Sequence, residues 1–121
     1  MSKTILIVED NKLNMKLFND ILQAHGYNTV QAPNGGTFLN LVRESKPDLI
    51  LMDIRLREIS GVELTKMLKA DDKLKGIPVV AVTAFAMKKD KEKILECGCD
   101  AYVSKPVSMQ TLLNTVSKFL N

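Results

Sequence analysis

Three uninterrupted apolar runs punctuate the chain: Ile5-Leu6-Ile7-Val8, Leu49-Ile50-Leu51-Met52 and Val79-Val80-Ala81-Val82. Each is short and bounded by polar or breaker residues, the pattern of a strand covered on both faces in a parallel sheet. Weaker strands are predicted over residues 27–32 and at Ala101-Tyr102-Val103. Between the strands the pattern turns helical. Leu13, Leu17 and Ile21, with Phe18 and Leu22, recur at helical spacing behind Asn11, a suitable cap, and Gly26 stops this helix. Pro33-Asn34-Gly35-Gly36 reads as a turn. Phe38, Leu39, Leu41 and Val42 predict a short amphipathic helix ended by Lys46-Pro47. Ser60-Gly61 opens a helix carrying Val62, Leu64, Met67 and Leu68, which frays through Asp71-Asp72 before Gly76. Residues 86–96 predict a helix with Met87, Ile94 and Leu95 on its inner side, closed by Gly98. Ser108 caps a last helix with the stripe Leu112, Leu113, Val116, Phe119 and Leu120. Five strands alternating with five helices over short links imply an α/β, doubly wound parallel sheet with right-handed crossovers.

Composition narrows this picture. The 121 residues suit one domain with one self-sufficient core, and no stretch looks like a linker or a repeat. The 45% hydrophobic and 26% charged fractions are those of a soluble protein, and no segment approaches the apolar length of a membrane span. The net charge of +3 comes with interleaved signs, as in Lys88-Lys89-Asp90-Lys91-Glu92-Lys93, which reads as a solvated helix face and not a nucleic-acid patch. Aromatics are only 5%, with no Trp, which argues against a base-stacking surface. Met1-Ser2-Lys3-Thr4 runs straight into a strand and does not resemble a signal peptide. Cys97 and Cys99 are too close for an easy disulfide and read as free thiols. His25 before Gly26 fits a helix end better than a catalytic role.

The candidate chemistry lies at the strand ends. In a parallel sheet the carboxyl ends share one edge, where ligands bind. Glu9-Asp10, Asp53, Thr83 and Lys105 therefore meet on one rim, though far apart in sequence. Asp53 follows four apolar residues and precedes a loop, so a capping role explains it poorly. Taken singly, Glu9-Asp10 also reads as a helix cap, Thr83 as a turn hydroxyl and Lys105 as a loop lysine. Placement at four of the five strand ends makes those separate readings improbable together. Crowded carboxylates repel one another and take up protons or a cation. An oxygen donor set without His or Cys suits Mg²⁺. A lysine and a hydroxyl beside it can hold an oxyanion such as a phosphoryl group. The combination suggests metal-assisted phosphoryl transfer with a carboxylate nucleophile.

The motifs Val8-Glu9-Asp10-Asn11, Leu51-Met52-Asp53, Ser60-Gly61, Val82-Thr83-Ala84 and Tyr102-Val103-Ser104-Lys105-Pro106 resemble, in order and spacing, the receiver domain of two-component response regulators. The resemblance spans the whole chain. It implies a flavodoxin-like sheet of order 2-1-3-4-5 over residues 1–121, as a single receiver domain without an output domain. It implies that Asp53 accepts a phosphoryl group from a sensor histidine kinase or a histidine phosphotransferase. Asp10, Asp53 and the backbone carbonyl of Arg55 would then ligate Mg²⁺, with Mn²⁺ able to replace it and Glu9 acting through a water. Thr83 and Lys105 would stabilise the phosphoryl group, Thr83 and Tyr102 would form the switch, and Lys105-Pro106 would be cis. Output would pass by protein contact through the fourth helix, last strand and last helix, with no nucleic acid and no membrane insertion. The longer runs Leu13-Asn14-Met15-Lys16-Leu17-Phe18 and Ala81-Val82-Thr83-Ala84-Phe85-Ala86-Met87-Lys88 are similar to single-domain members acting in bacterial cell-cycle control. These imply a cytoplasmic protein recruited to membrane-bound kinases at cell poles. One departure is Arg57, where the family commonly has proline, which leaves that loop freer.

Other readings fare worse. A Mg²⁺-dependent aspartate-nucleophile phosphatase needs a second acid two residues after the nucleophile, and Arg55 there stays protonated. A nucleotide-binding domain needs a glycine-rich phosphate loop after the first strand, where Glu9-Asp10-Asn11 would repel phosphate.

Overall fold

In a computed structural model, the chain is described over residues 3–56, 59–84 and 88–120, with the backbone alone for 88–90. The elements run β1 (Thr4–Val8), α1 (Lys12–Ala24), β2 (Asn28–Ala32), a 3₁₀ turn (Gly35–Thr37), α2 (Phe38–Ser45), β3 (Leu49–Asp53), α3 (Gly61–Lys69), β4 (Val79–Thr83), α4 (Lys88–Glu96), β5 (Ala101–Ser104) and α5 (Met109–Leu120). All strand pairs are parallel, in the order β2-β1-β3-β4-β5. The doubly wound sheet expected from the alternation of runs is therefore present. Arg57, and Met87 on the expected fourth helix, lie outside the described residues.

The two-residue period of a strand divides each apolar run between two cores. Leu6, Val8, Ile50, Met52, Val79 and Ala81 face one side, under Phe38 and Val42 of α2, Leu64 and Leu68 of α3, and Ile94 of α4. Ile5, Ile7, Leu49, Leu51, Val80 and Val82 face the other, under Met15, Phe18 and Leu22 of α1 and Leu112 and Val116 of α5. Both faces are covered by helices, which is why the runs are continuous and not alternating.

The helix ends follow from local chemistry. The Asn11 side chain accepts from Asn14 N at 3.0 Å and starts α1. Ser60 and Ser108 accept from Val62 N and Thr111 N, each at 3.1 Å. Lys46, in the left-handed region at φ 47°, ends α2 ahead of Pro47. The expected turn at Pro33-Asn34-Gly35-Gly36 tightens into the 3₁₀ turn, with Asn34 accepting from Gly36 N at 3.0 Å. His25 sits at the C-terminus of α1, its Nδ1 3.0 Å from the Ile21 carbonyl. Between α3 and β4, Lys69 Nζ donates to the carbonyls of Lys75 (3.0 Å) and Ile77 (2.8 Å) and pairs with Asp100. This staple closes the segment that leads into β4.

Three helix faces depart from the sequence reading. Leu13 and Leu17 of α1 are 80% and 49% exposed, and Met15 takes the core position instead. At 100° per residue Leu13 lies about 160° round the helix from Met15. Leu13 and Leu17 thus form a second apolar stripe, separate from Met15, Phe18 and Leu22. Leu95, expected inside, is half exposed, because α4 presents Ile94 and Cys97 to the sheet. Met67 on α3 is likewise half exposed, beside buried Leu64 and Leu68.

The cysteines are free and buried, with sulfurs 3.7 Å apart. Burial, with Cys97 alongside, pushes the Cys99 thiol up to about 12, which keeps it protonated and unreactive.

Candidate functional site

The carboxyl ends of β1, β3, β4 and β5 converge on one rim. There Glu9, Asp10 and Asp53 place carboxylate oxygens within 4.8 Å of one another. Glu9 and Asp53 are almost wholly buried and Asp10 is half-buried. Parallel pairing does this: Val8 is level with Met52, so the residues following β1 come level with Asp53.

Lys105 reaches in from beyond β5. Its Nζ lies 3.5 Å from Glu9 Oε1 and 3.6 Å from Asp53 Oδ2. The Lys105 backbone N–H donates to the Thr83 carbonyl at 2.7 Å, which joins the ends of β4 and β5. The Lys105-Pro106 bond is cis. Thr83 is buried at the end of β4, in register with Ser104. Tyr102 is half-buried on β5, with Lys91 Nζ 5.4 Å from the centre of its ring.

The loop after Asp53 is shaped by Gly61. A Cβ there would fall on the Asp53 carbonyl and lie 2.8 Å from Ile54 Cα. Without one, Gly61 N–H donates to the Ile54 carbonyl at 3.0 Å, and α3 starts directly against the strand end. This gives the Ser60-Gly61 pair a physical reason: serine caps and glycine clears the approach. Asp53 Oδ1 accepts from Arg55 N–H at 3.0 Å, which fixes the plane of the carboxylate.

The electrostatics point to a cation. Burial and the neighbouring Asp53 carboxylate push Glu9 up to about 7, although Asn14 and Lys105 pull the other way. Glu9 Oε2 is buried with no hydrogen-bond partner among the described residues. An uncompensated carboxylate oxygen at that depth is costly. Three carboxylates with oxygen-only chemistry, one of them bearing that bare atom, fit Mg²⁺. The sequence reading named every member of this cluster. It did not single out Asn14, whose side-chain Nδ2 donates to Glu9 Oε1 at 3.1 Å. The signal was Asn14 in the first turn of a helix capped by Asn11.

Residues 5–117 match the family described as the response regulator receiver domain. The chain is 57% identical over 120 residues to the polar-differentiation response regulator DivK of Brucella anthropi, covering 99% of this chain and 98% of that protein. Among solved structures it is similar to the signal receiver domain of a signal transduction histidine kinase from Syntrophus aciditrophicus. That match has a TM-score of 0.91 at 33% identity and covers 98% of this chain and 90% of that one. It is also similar to the receiver domain of a Pseudomonas aeruginosa sensor histidine kinase, with a magnesium ion coordinated in its active site cleft. Here the TM-score is 0.86 at 29% identity, covering 99% and 98% of the two chains.

Proposed function

This chain belongs to the response regulator receiver domain family of two-component signalling, and from that premise we propose that Asp53 accepts a phosphoryl group from a histidine of a sensor kinase or phosphotransfer protein. The observation that carries the reading is the acidic cluster itself, three carboxylates within 4.8 Å of one another with the Lys105 ammonium beside two of them.

Asp53 attacks phosphorus through a carboxylate oxygen. An O–P bond forms while the P–N bond to the donor imidazole breaks, and the imidazole nitrogen keeps the electron pair. Asp10, Asp53 and the Arg55 backbone carbonyl would hold Mg²⁺ or Mn²⁺, and Glu9 would act through a water. The ion supplies positive charge that offsets repulsion between the carboxylates and the incoming phosphoryl oxygens. The Arg55 N–H keeps Asp53 oriented. Lys105, already drawn to the cluster, turns its ammonium to the phosphoryl oxygens. The Thr83 hydroxyl donates to another of them.

The response is a population shift. Thr83 moves toward the phosphoryl group, Tyr102 changes its packing, and the face of α4, β5 and α5 changes with it. Partners read that face, so output from the receiver domain is by protein contact. The name of the Brucella relative supports a place in polar differentiation; a role in cell-cycle control, with recruitment to kinases at cell poles, is part of the same proposal. Leu13 and Leu17, exposed on α1 next to the rim, suit contact with the donor protein.

The test is intact mass after incubation with Mg²⁺ and acetyl phosphate. One phosphoryl adduct is expected, lost with EDTA present and absent in Asp53→Ala. Mg²⁺ binding without an adduct from either acetyl phosphate or a histidine donor would overturn the acceptor role.

A further inference from the structure

We propose that Asn14 is a positioning residue for the acidic site: its side-chain amide holds the Glu9 carboxylate so that Oε2, and not Oε1, is presented to the water through which Glu9 acts on the cation. This rests on the reading of the cluster as a Mg²⁺ site.

The two oxygens of Glu9 are treated very differently. The side chain is only 1% exposed. Oε1 receives Asn14 Nδ2 at 3.1 Å and Lys105 Nζ at 3.5 Å. Oε2 is buried and has no partner among the described residues. A free carboxylate would turn to share its donors between both oxygens. Here the donors sit on one side, which leaves the other oxygen bare and directed away from them. Lys105 alone is a poor anchor, because it also faces Asp53 at 3.6 Å and is needed elsewhere once a phosphoryl group arrives. The Asn14 amide donates to Glu9 Oε1 at 3.1 Å.

Asn14 is itself fixed. Its backbone N–H donates to the Asn11 side chain at 3.0 Å, so it holds the third position of α1. At that position a capping-box side chain turns back to the cap residue. The Asn14 amide turns back further, past Asn11, to the end of β1. The Asn11-Lys12-Leu13-Asn14 stretch thus starts the helix and orients a buried acid at once. Groups that orient a metal-binding carboxylate typically change metal affinity by about tenfold or more when removed.

The experiment measures Mn²⁺ affinity by the paramagnetic resonance of the free ion at one fixed pH, in wild type, Asn14→Leu, Glu9→Ala and the double variant. Leucine keeps the volume of Asn14 and removes the donor. Asn14→Leu is expected to weaken Mn²⁺ binding about tenfold and to change nothing in the Glu9→Ala background. The Mg²⁺ concentration that half-saturates the reaction of Asn14→Leu with acetyl phosphate is expected to rise about tenfold with the weaker metal binding. Circular dichroism melting in EDTA checks the fold, and Asn14→Ala stands in if the leucine variant does not fold. Unchanged affinity in a folded variant, or an equal loss with and without Glu9, would overturn the role of Asn14 while leaving the metal site standing. Failure of wild type to bind Mn²⁺ would remove the metal site and this role together.

Discussion

Lys105 faces two carboxylates at 3.5 and 3.6 Å and holds a place that two different cations would contest. In the proposed reaction its ammonium would offset part of the charge that draws Mg²⁺ before phosphorylation, and would turn to the phosphoryl oxygens afterwards. Lys105→Met is therefore expected to act in opposite directions on two measurements. Mg²⁺ affinity rises, because a competing charge has gone. The rate of adduct formation with acetyl phosphate falls by about a hundredfold, the typical loss when one charge-stabilising donor is removed. Calorimetry and time-resolved intact mass follow the two quantities, and a parallel fall in both would contradict the division of labour. At this scale the sequence was informative where a residue ended a strand, because a parallel sheet brings such ends together whatever the side chains do. Glu9, Asp10, Asp53, Thr83 and Lys105 are all of that kind. Asn14 and the Arg55 N–H are not. Their parts depend on side-chain reach and loop direction, which no spacing rule fixes.

At the scale of the element, α1 is the instructive helix. Leu13, Leu17 and Ile21 fit a helical period as well as Met15, Phe18 and Leu22 do, and periodicity alone does not choose the face. Packing against the sheet chose the second set, since Met15, Phe18 and Leu22 fit between β1, β3 and α5. The same ambiguity misplaced Leu95 on α4. Two substitutions separate the stripes. Leu22→Ala empties a fully buried position and is expected to cost about 2–5 kcal/mol in urea unfolding. Leu13→Ser combined with Leu17→Ser is expected to leave stability within about 0.5 kcal/mol of wild type. The double variant should keep its reaction with acetyl phosphate and lose rate with a histidine donor protein. Equal losses with both donors would place these leucines outside the docking contact.

For the whole molecule, the acidic rim sets how stability depends on pH. Glu9 in the unfolded chain titrates near 4.5 and in the folded protein near 7. Between those values the folded protein holds the proton and the unfolded chain does not. The contribution of Glu9 to metal-free stability is therefore fully present below about pH 4.5 and is lost as pH rises toward 7, by an amount on the order of a few kcal/mol. Above that the contribution is flat. Mg²⁺ should reverse the loss, adding about 2.7 kcal/mol at a hundred times its dissociation constant. Melting curves from pH 4.5 to 8, with EDTA and with Mg²⁺, test both statements. A metal-free protein that gained stability over this range would contradict the burial of a protonated Glu9.

The rim also draws its members from nearly the full length of the chain, Glu9 and Lys105 being 96 positions apart. Lys105 is held in place by the Thr83 carbonyl at the end of β4, and β4 must first find β3. A chain still being synthesised can pair β1 with β3 and bring the three acids together, yet it has no ammonium to set against them. Such a molecule repels phosphate. The ammonium joins the three acids only when β5 docks, so the charge balance of the rim is completed by the last strand to be placed.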